Sequence, residues 1–291
     1  MFNVRFTNSK GISLKMGHVS TPFQILSLEG IDGISVDIST SQGAQQVGCS
    51  VDHQTLGARR IGLIGKIVNF SPAQLAQIAQ IFLPMSTLRL TFEEAYWIDC
   101  VISESPVFSY DLKTVTFSVS LLAPSPYWKA VKINSYQLGG LTGGFTFPVN
   151  FSQRNPHSFG KRAALLYLNC KNRGNAVTDY MARIRCSSGE AAGVILVNAQ
   201  TQQFLEISTG LVAGDVLEIY QENGILRATK TSAGIVTDVF ADLNEDSDLF
   251  YMNVGDNVLR ADVIEGEALL EVTIRFYDAV SGVRYGISGL Q

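Results

Sequence analysis

Apolar and polar positions alternate most clearly over residues 114–121. Val115, Phe117, Val119 and Leu121 fall on one side, and Thr114, Thr116, Ser118 and Ser120 on the other. A period of two in β-branched and aromatic residues is that of a half-buried strand. Pro124 and Pro126 stop it, because neither can donate to a ladder and each holds its predecessor extended. Tyr127 and Trp128 follow at once. A strand ending in a proline-stiffened aromatic corner predicts a seam between two domains.

Before the seam, residues 2–8 alternate as a first strand, and residues 59–70 form another with Ile61, Leu63 and Ile67 on one face. Ser71 is placed as a helix N-cap, Pro72 suits the first helical position and Gln74 completes a capping box. Leu75, Ile78, Ala79 and Phe82 then make one apolar stripe, and Pro84 ends the helix. Leu88, Leu90 and Phe92 alternate as a strand, Glu93 and Glu94 turn, and residues 96–102 return. Residues 30–57, rich in Gly, Ser, Gln and Asp, read as a long loop or an arm with short strand segments. Such a length in a compact domain serves binding or orders against a neighbour. The first domain is therefore α+β, a mostly antiparallel sheet with one helix.

After the seam, Gly139, Gly140, Gly143 and Gly144 mark a connection, with Phe145, Phe147 and Pro148 following. Strands are expected near 163–169, 177–186, 192–198, 203–208, 215–220, 225–230, 235–240, 249–253, 257–264 and 269–277. Asn223-Gly224 is a tight-hairpin signal, and Leu270, Val272, Ile274 and Phe276 alternate with Glu271, Thr273 and Arg275. Short strands without a helix indicate a β-sandwich. The expected division is an α+β domain over 1–128, a connection over 129–148 and an all-β sandwich over 149–291. No internal repeat is visible.

Composition adds one inference. Charged residues are 16% of the chain, against about 25% in an average soluble domain. No stretch reaches the roughly 18 apolar residues of a membrane span, so no membrane is expected to explain the shortage. A charge-poor surface covered by other subunits does explain it, since obligate interfaces are depleted in charge. The net charge of −4 argues against a sequence-independent grip on nucleic acid. The first residues lack an apolar signal core, so synthesis in the cytoplasm is expected. Cys49, Cys100, Cys170 and Cys186 have no C-x-x-C spacing and read as small core hydrophobes, not disulfides or zinc ligands.

No catalytic, cofactor or metal constellation emerges. Gly65-Lys66 is preceded by Arg60 where a phosphate loop needs glycine and followed by Ile67 where it needs Ser or Thr. No two glycines stand at i, i+2, which removes a dinucleotide turn. The histidines are His18, His53 and His157, and no G-x-S-x-G elbow raises a serine. Asp52-His53 is an ordinary loop pair. The acidic run from Asp242 through Glu245 and Asp246 to Asp248 lacks the glycine and terminal glutamate of a calcium loop and reads as a solvated turn. Arg59-Arg60 and Arg183/Arg185 read as outward strand charges. A glycan-binding sandwich is the alternative reading. Against it, Trp97 and Trp128 both lie outside the sandwich, which offers Tyr167, Tyr180, Tyr220, Tyr251, Tyr277 and Tyr285 instead.

The ordered set of segments resembles the distal tail proteins of siphovirus-type bacteriophages. The matching pieces are Ala123-Pro-Ser-Pro-Tyr-Trp128, the capped helix ending at Leu83-Pro84, Gly144-Phe-Thr-Phe-Pro148, and Asn198-Ala-Gln-Thr-Gln-Gln-Phe-Leu-Glu-Ile-Ser208. Gly214-Asp-Val-Leu-Glu-Ile219, Asp246-Ser-Asp-Leu-Phe-Tyr-Met-Asn-Val-Gly-Asp-Asn257, residues 272–277 and Gly282-Val283 complete the set, which covers nearly the whole chain. One departure is Gln200-Thr-Gln-Gln203, where the family pattern leads one to expect a glycine-containing turn.

The resemblance implies a non-enzymatic structural protein of a phage or prophage tail tip (baseplate). Its first domains would form a hexameric ring around a channel through which DNA passes as cargo. A galectin-like sandwich would project outward. The implied partners are further copies of the chain, the tail tube protein, the tail-associated hub protein, and receptor-binding or side proteins used in host adsorption. The family supplies no catalytic residue, cofactor or metal.

Overall fold

The computed structural model of the chain describes residues 3–17, 21–138, 141–143, 160–162, 167–222 and 225–283. They divide into two units. The first comprises residues 1–132 with 174–176 and the chain end from 279, and the second comprises 133–173 and 177–278.

The first unit contains β1 (Val4–Asn8), β2 (Ser13–Met16), β3 (Phe23–Glu29), β4 (Val36–Ser41), β5 (Ser50–Leu56), β6 (Arg59–Val68), α1 (Pro72–Ile81), β7 (Thr87–Phe92), β8 (Tyr96–Asp111), β9 (Thr114–Ala123) and the start of β10 (Trp128–Leu138). β8 organises them. Its first part pairs with β7, from Phe92 opposite Tyr96 to Thr87 opposite Val101, in a sheet that continues through β1 to β2. Its second part pairs with β9, which pairs with β6 and through it with β3. The strand was expected to end at Ile102. It runs on to Asp111, with register irregularities between Ile102 and Val107. Pro106 lies in that interval and cannot donate to a ladder, so the strand continues past an irregularity instead of stopping.

The alternation over 114–121 holds: Val115, Phe117, Val119 and Leu121 are buried. β9 stops at Ala123, and Trp128 is fully buried against Phe92, with ring centroids 6.3 Å apart. The helix has the expected cap, with the Ser71 hydroxyl accepting from the Gln74 amide and the Gln74 side chain accepting from the Ser71 amide. Its buried stripe differs at one position. Ile78, Ile81 and Phe82 face the core while Ala79 is exposed. A single methyl buries little area, so the helix turns its larger side chain inward. Phe82 meets Phe6 edge to face at 5.1 Å. Glu93 and Glu94 form their turn in the left-handed region, at φ 50° and 56°. Asn3 and Arg5 hold it, the Asn3 amide donating to Glu93 and Arg5 pairing with Glu94.

The second unit holds the rest of β10 and β11 (Leu141–Gly143), β12 (Gly160–Arg162), β13 (Leu168–Asn172), β14 (Tyr180–Ser188), β15 (Glu190–Ala191), β16 (Val194–Asn198), β17 (Phe204–Ile207), β18 (Leu211–Val212), β19 (Val216–Glu222), β20 (Ile225–Ser232), β21 (Ile235–Asp238), β22 (Gly255–Val263) and β23 (Leu269–Val280). The last two residues of β23 belong to the first unit. Two antiparallel sheets, ordered β23-β14-β19-β20-β21 and β13-β22-β16-β17, share one core that includes Ile184, Leu217, Ile274, Leu196, Leu205 and Leu259. This is the expected sandwich.

Three details depart from expectation. Residues 249–253 form no strand; Phe250 and Met252 plug the core from a coil joined by a single bridge between Thr178 and Met252. The expected strand at 235–240 ends at Asp238 and is followed by a 3-10 turn over Phe240–Asp242. The connection expected over 129–148 begins as strand, to Leu138. Residues 163–166, the Asn223-Gly224 turn and Phe145 to Pro148 lie outside the described residues, although Glu222 does pair with Ile225. The Gln200–Gln203 turn forms without glycine. The Asn198 side chain accepts from the amides of Gln200 and Thr201, and Gln202 takes the left-handed position at φ 63°.

Candidate functional site

The residues weighed for chemistry do not converge. His53 stands exposed on β5, and Asp52 beside it accepts from the Ser41 hydroxyl at 2.8 Å; His18 and His157 lie outside the described residues. The acidic run is a turn whose backbone pairs with β17, Asn244 donating to Glu206 and Asp248 to Phe204. No group of three or more metal-ligating side chains occurs among the described residues. Gly65 is a packing position, because a Cβ there would lie 2.4 Å from the Phe117 ring. No described helix is long and apolar enough to cross a membrane.

What the first unit does present is an arm. β4 and β5 pair with each other as a separate two-stranded sheet, from Val36 opposite Leu56 to Ser41 opposite Ser50. Every residue of β5, and all of β4 but Ser39, is exposed. The register sorts the side chains. Val36, Ile38, Val51 and Leu56 fall on one face with Gln54 and Thr40, while Asp37, Ser39, His53 and Thr55 fall on the other. A two-stranded ribbon alone is marginally stable in water. An apolar stripe on an exposed ribbon therefore calls for a partner surface.

The base of this arm is pinned. Arg59 was expected to point outward, but it shares the phase of Ile61 and Leu63 and is 3% exposed. Its guanidinium donates to the carbonyls of Gly30 (2.6 Å), Gly33 (2.9 Å) and Pro126 (2.7 Å), and to that of Ser281. Burial lowers its pKa from the usual arginine value, and the nearby Asp32 carboxylate partly offsets this. Gly30, at φ 77°, passes so close to the Arg60 carbonyl that a Cβ would sit 1.9 Å from its oxygen. Only glycine fits there. Cys49 is a second correction: it is exposed at the arm's tip, while Cys100, Cys170 and Cys186 are buried as expected. The cause is local, since the arm has no core of its own to take a thiol.

No protein-family model and no curated protein sequence matches the chain. Solved structures do. The Dit protein (gp 19.1) of phage SPP1, described as a paradigm of hub adsorption apparatus in phages infecting Gram-positive bacteria, superposes with a TM-score of 0.64 at 13% identity. The match covers 95% of this chain and 98% of that one. This chain has the fold of the phage Dit protein. A chain of the phage p2 baseplate in its activated conformation with Sr matches with a TM-score of 0.50 at 10% identity, over 94% of this chain and 98% of its own. The α+β-then-sandwich order expected from the sequence is thus met in the molecule and in its structural neighbour.

Proposed function

We propose that this protein is a structural component of a phage or prophage tail tip, a distal tail protein without enzymatic activity. The observation that carries the reading is the Dit fold, extending over 95% of the chain. Six copies close into a ring through the first unit, and the exposed arm supplies a contact between neighbours, head to tail. The ring joins the tail tube above to the hub protein below and supports the adsorption components; DNA passes through its channel. The low charge content fits a surface largely covered in the virion.

Light scattering across a concentration series tests this. The expected particle is six times the 31.7 kDa chain. Deleting residues 40–57 should reduce it to monomer, and an oligomer of unchanged size would overturn the arm's role. A strict monomer that also fails to bind tail tubes lacking their tip would overturn the ring.

A further inference from the structure

On β14, Ala182, Ile184 and Cys186 enter the core of the second unit, so Arg183 and Arg185 point outward. Their cross-strand neighbours on that outer face are Thr273 and Glu271 of β23 and Glu218 and Val216 of β19. Arg183, Arg185, Glu271, Thr273, Val216, Gly214 and Gln137 line a depression of about 380 Å³, within the range of small-ligand sites, about 300–1,000 Å³.

Its charges are sorted. Arg183 lies 3.4 Å from Glu218, so these two largely neutralise each other. Arg185 stands directly opposite Glu271, yet neither side chain makes a hydrogen bond or ion pair among the described residues. The depression thus presents one uncommitted guanidinium fork, one uncommitted carboxylate, an amide and a hydroxyl. An anion would meet Glu271, a cation would meet Arg185, and an apolar molecule would strip water from both without replacing its hydrogen bonds. A ligand that donates and accepts through the same groups and carries no net charge matches all four. Sugar hydroxyls do this, and Val216 offers a small apolar contact beside them.

We propose that this depression binds a neutral saccharide unit. The site is separate from the ring contact, so it goes beyond the structural role and does not depend on it. The experiment uses the full chain in whatever oligomeric state it adopts, titrated with lactose, maltose and diacetylchitobiose and followed by calorimetry. Expected is millimolar binding of at least one of them, weakened tenfold or more by both Arg185→Met and Glu271→Gln, with unchanged thermal unfolding. Binding equal in wild type and variants, no binding of any of the three sugars, or stronger binding of inorganic phosphate or glucuronate would each overturn the proposal. None of these outcomes alters the particle mass that tests the ring.

Discussion

Arg59 Nε donates a 2.7 Å hydrogen bond to the carbonyl of Pro126, tying the base of the arm to the corner that ends β9. The same guanidinium holds Gly30, Gly33 and Ser281, so one side chain gathers four carbonyls from three chain segments of the first unit. Arginine suits this because its fork presents donors in fixed directions, which the compact ammonium of lysine does not.

Replacing Arg59 with Met should therefore leave several part-buried carbonyls unpaired and cost about 3 kcal/mol. Arg59→Lys should recover little of it. Both tryptophans, Trp97 and Trp128, lie in the first unit, so urea unfolding followed by tryptophan fluorescence reads that unit alone. A midpoint unchanged in Arg59→Met would show that the four carbonyls find water instead.

Gly65→Ala should destabilise the same unit by about 1–3 kcal/mol through overpacking. The new methyl would lie 2.4 Å from Phe117 Cζ and 2.8 Å from Met16 Cε. Trimming the ring in Gly65→Ala/Phe117→Leu should give non-additive recovery in the fluorescence assay. Strict additivity would mean the two sites do not share the space.

Thiol reactivity should single out one cysteine. Burial pushes the Cys100 and Cys170 thiols up to about 12 and also raises that of Cys186, which keeps them protonated and inert at neutral pH. Cys49 is exposed. A thiol reagent should modify Cys49 alone in the folded protein and all four cysteines in denaturant, read by intact-mass spectrometry.

Acid should weaken the second unit through Asp215. Burial by itself would raise the pKa of this carboxyl, but hydrogen bonds from Ser232, the Val212 amide and Lys230, with the Lys230 charge, bring it below the usual value. A depressed folded-state pKa stabilises the protein above the unfolded value and is lost as pH falls through the folded one. Asp215→Asn should lower the thermal midpoint at pH 7, and its gap to wild type should close below about pH 4. A gap that stays constant with pH would place the effect in shape and not in charge.

Local signals proved legible where neighbours along the chain carry them. The cap at Ser71, the proline-stiffened corner and the alternation over 114–121 each depend on residues within a few positions, and each is found. The candidate interaction surface was legible in part. The composition of residues 30–57 marks an arm, but its amphipathic faces follow from a register between β4 and β5 that includes an irregularity between Ser39 and Thr40. Arg59 reads as a surface charge until the carbonyls of residues 30, 33, 126 and 281 are brought around it. The depression between Arg185 and Glu271 arises from strands 86 positions apart in number, as the cross-strand register shows.

The sequence by itself determined the main run of elements, the helix with its cap and the sandwich in the second half, because periodicity and capping are local. The tertiary structure alone decided that β8 pairs with β7 along its first part and with β9 along its second, that Ile81 and not Ala79 faces the core, that Cys49 is exposed, and that residues 279–283 return to the first unit. These depend on which distant backbone groups are available to satisfy a buried donor or cover an apolar side chain, and that is settled when the chain packs.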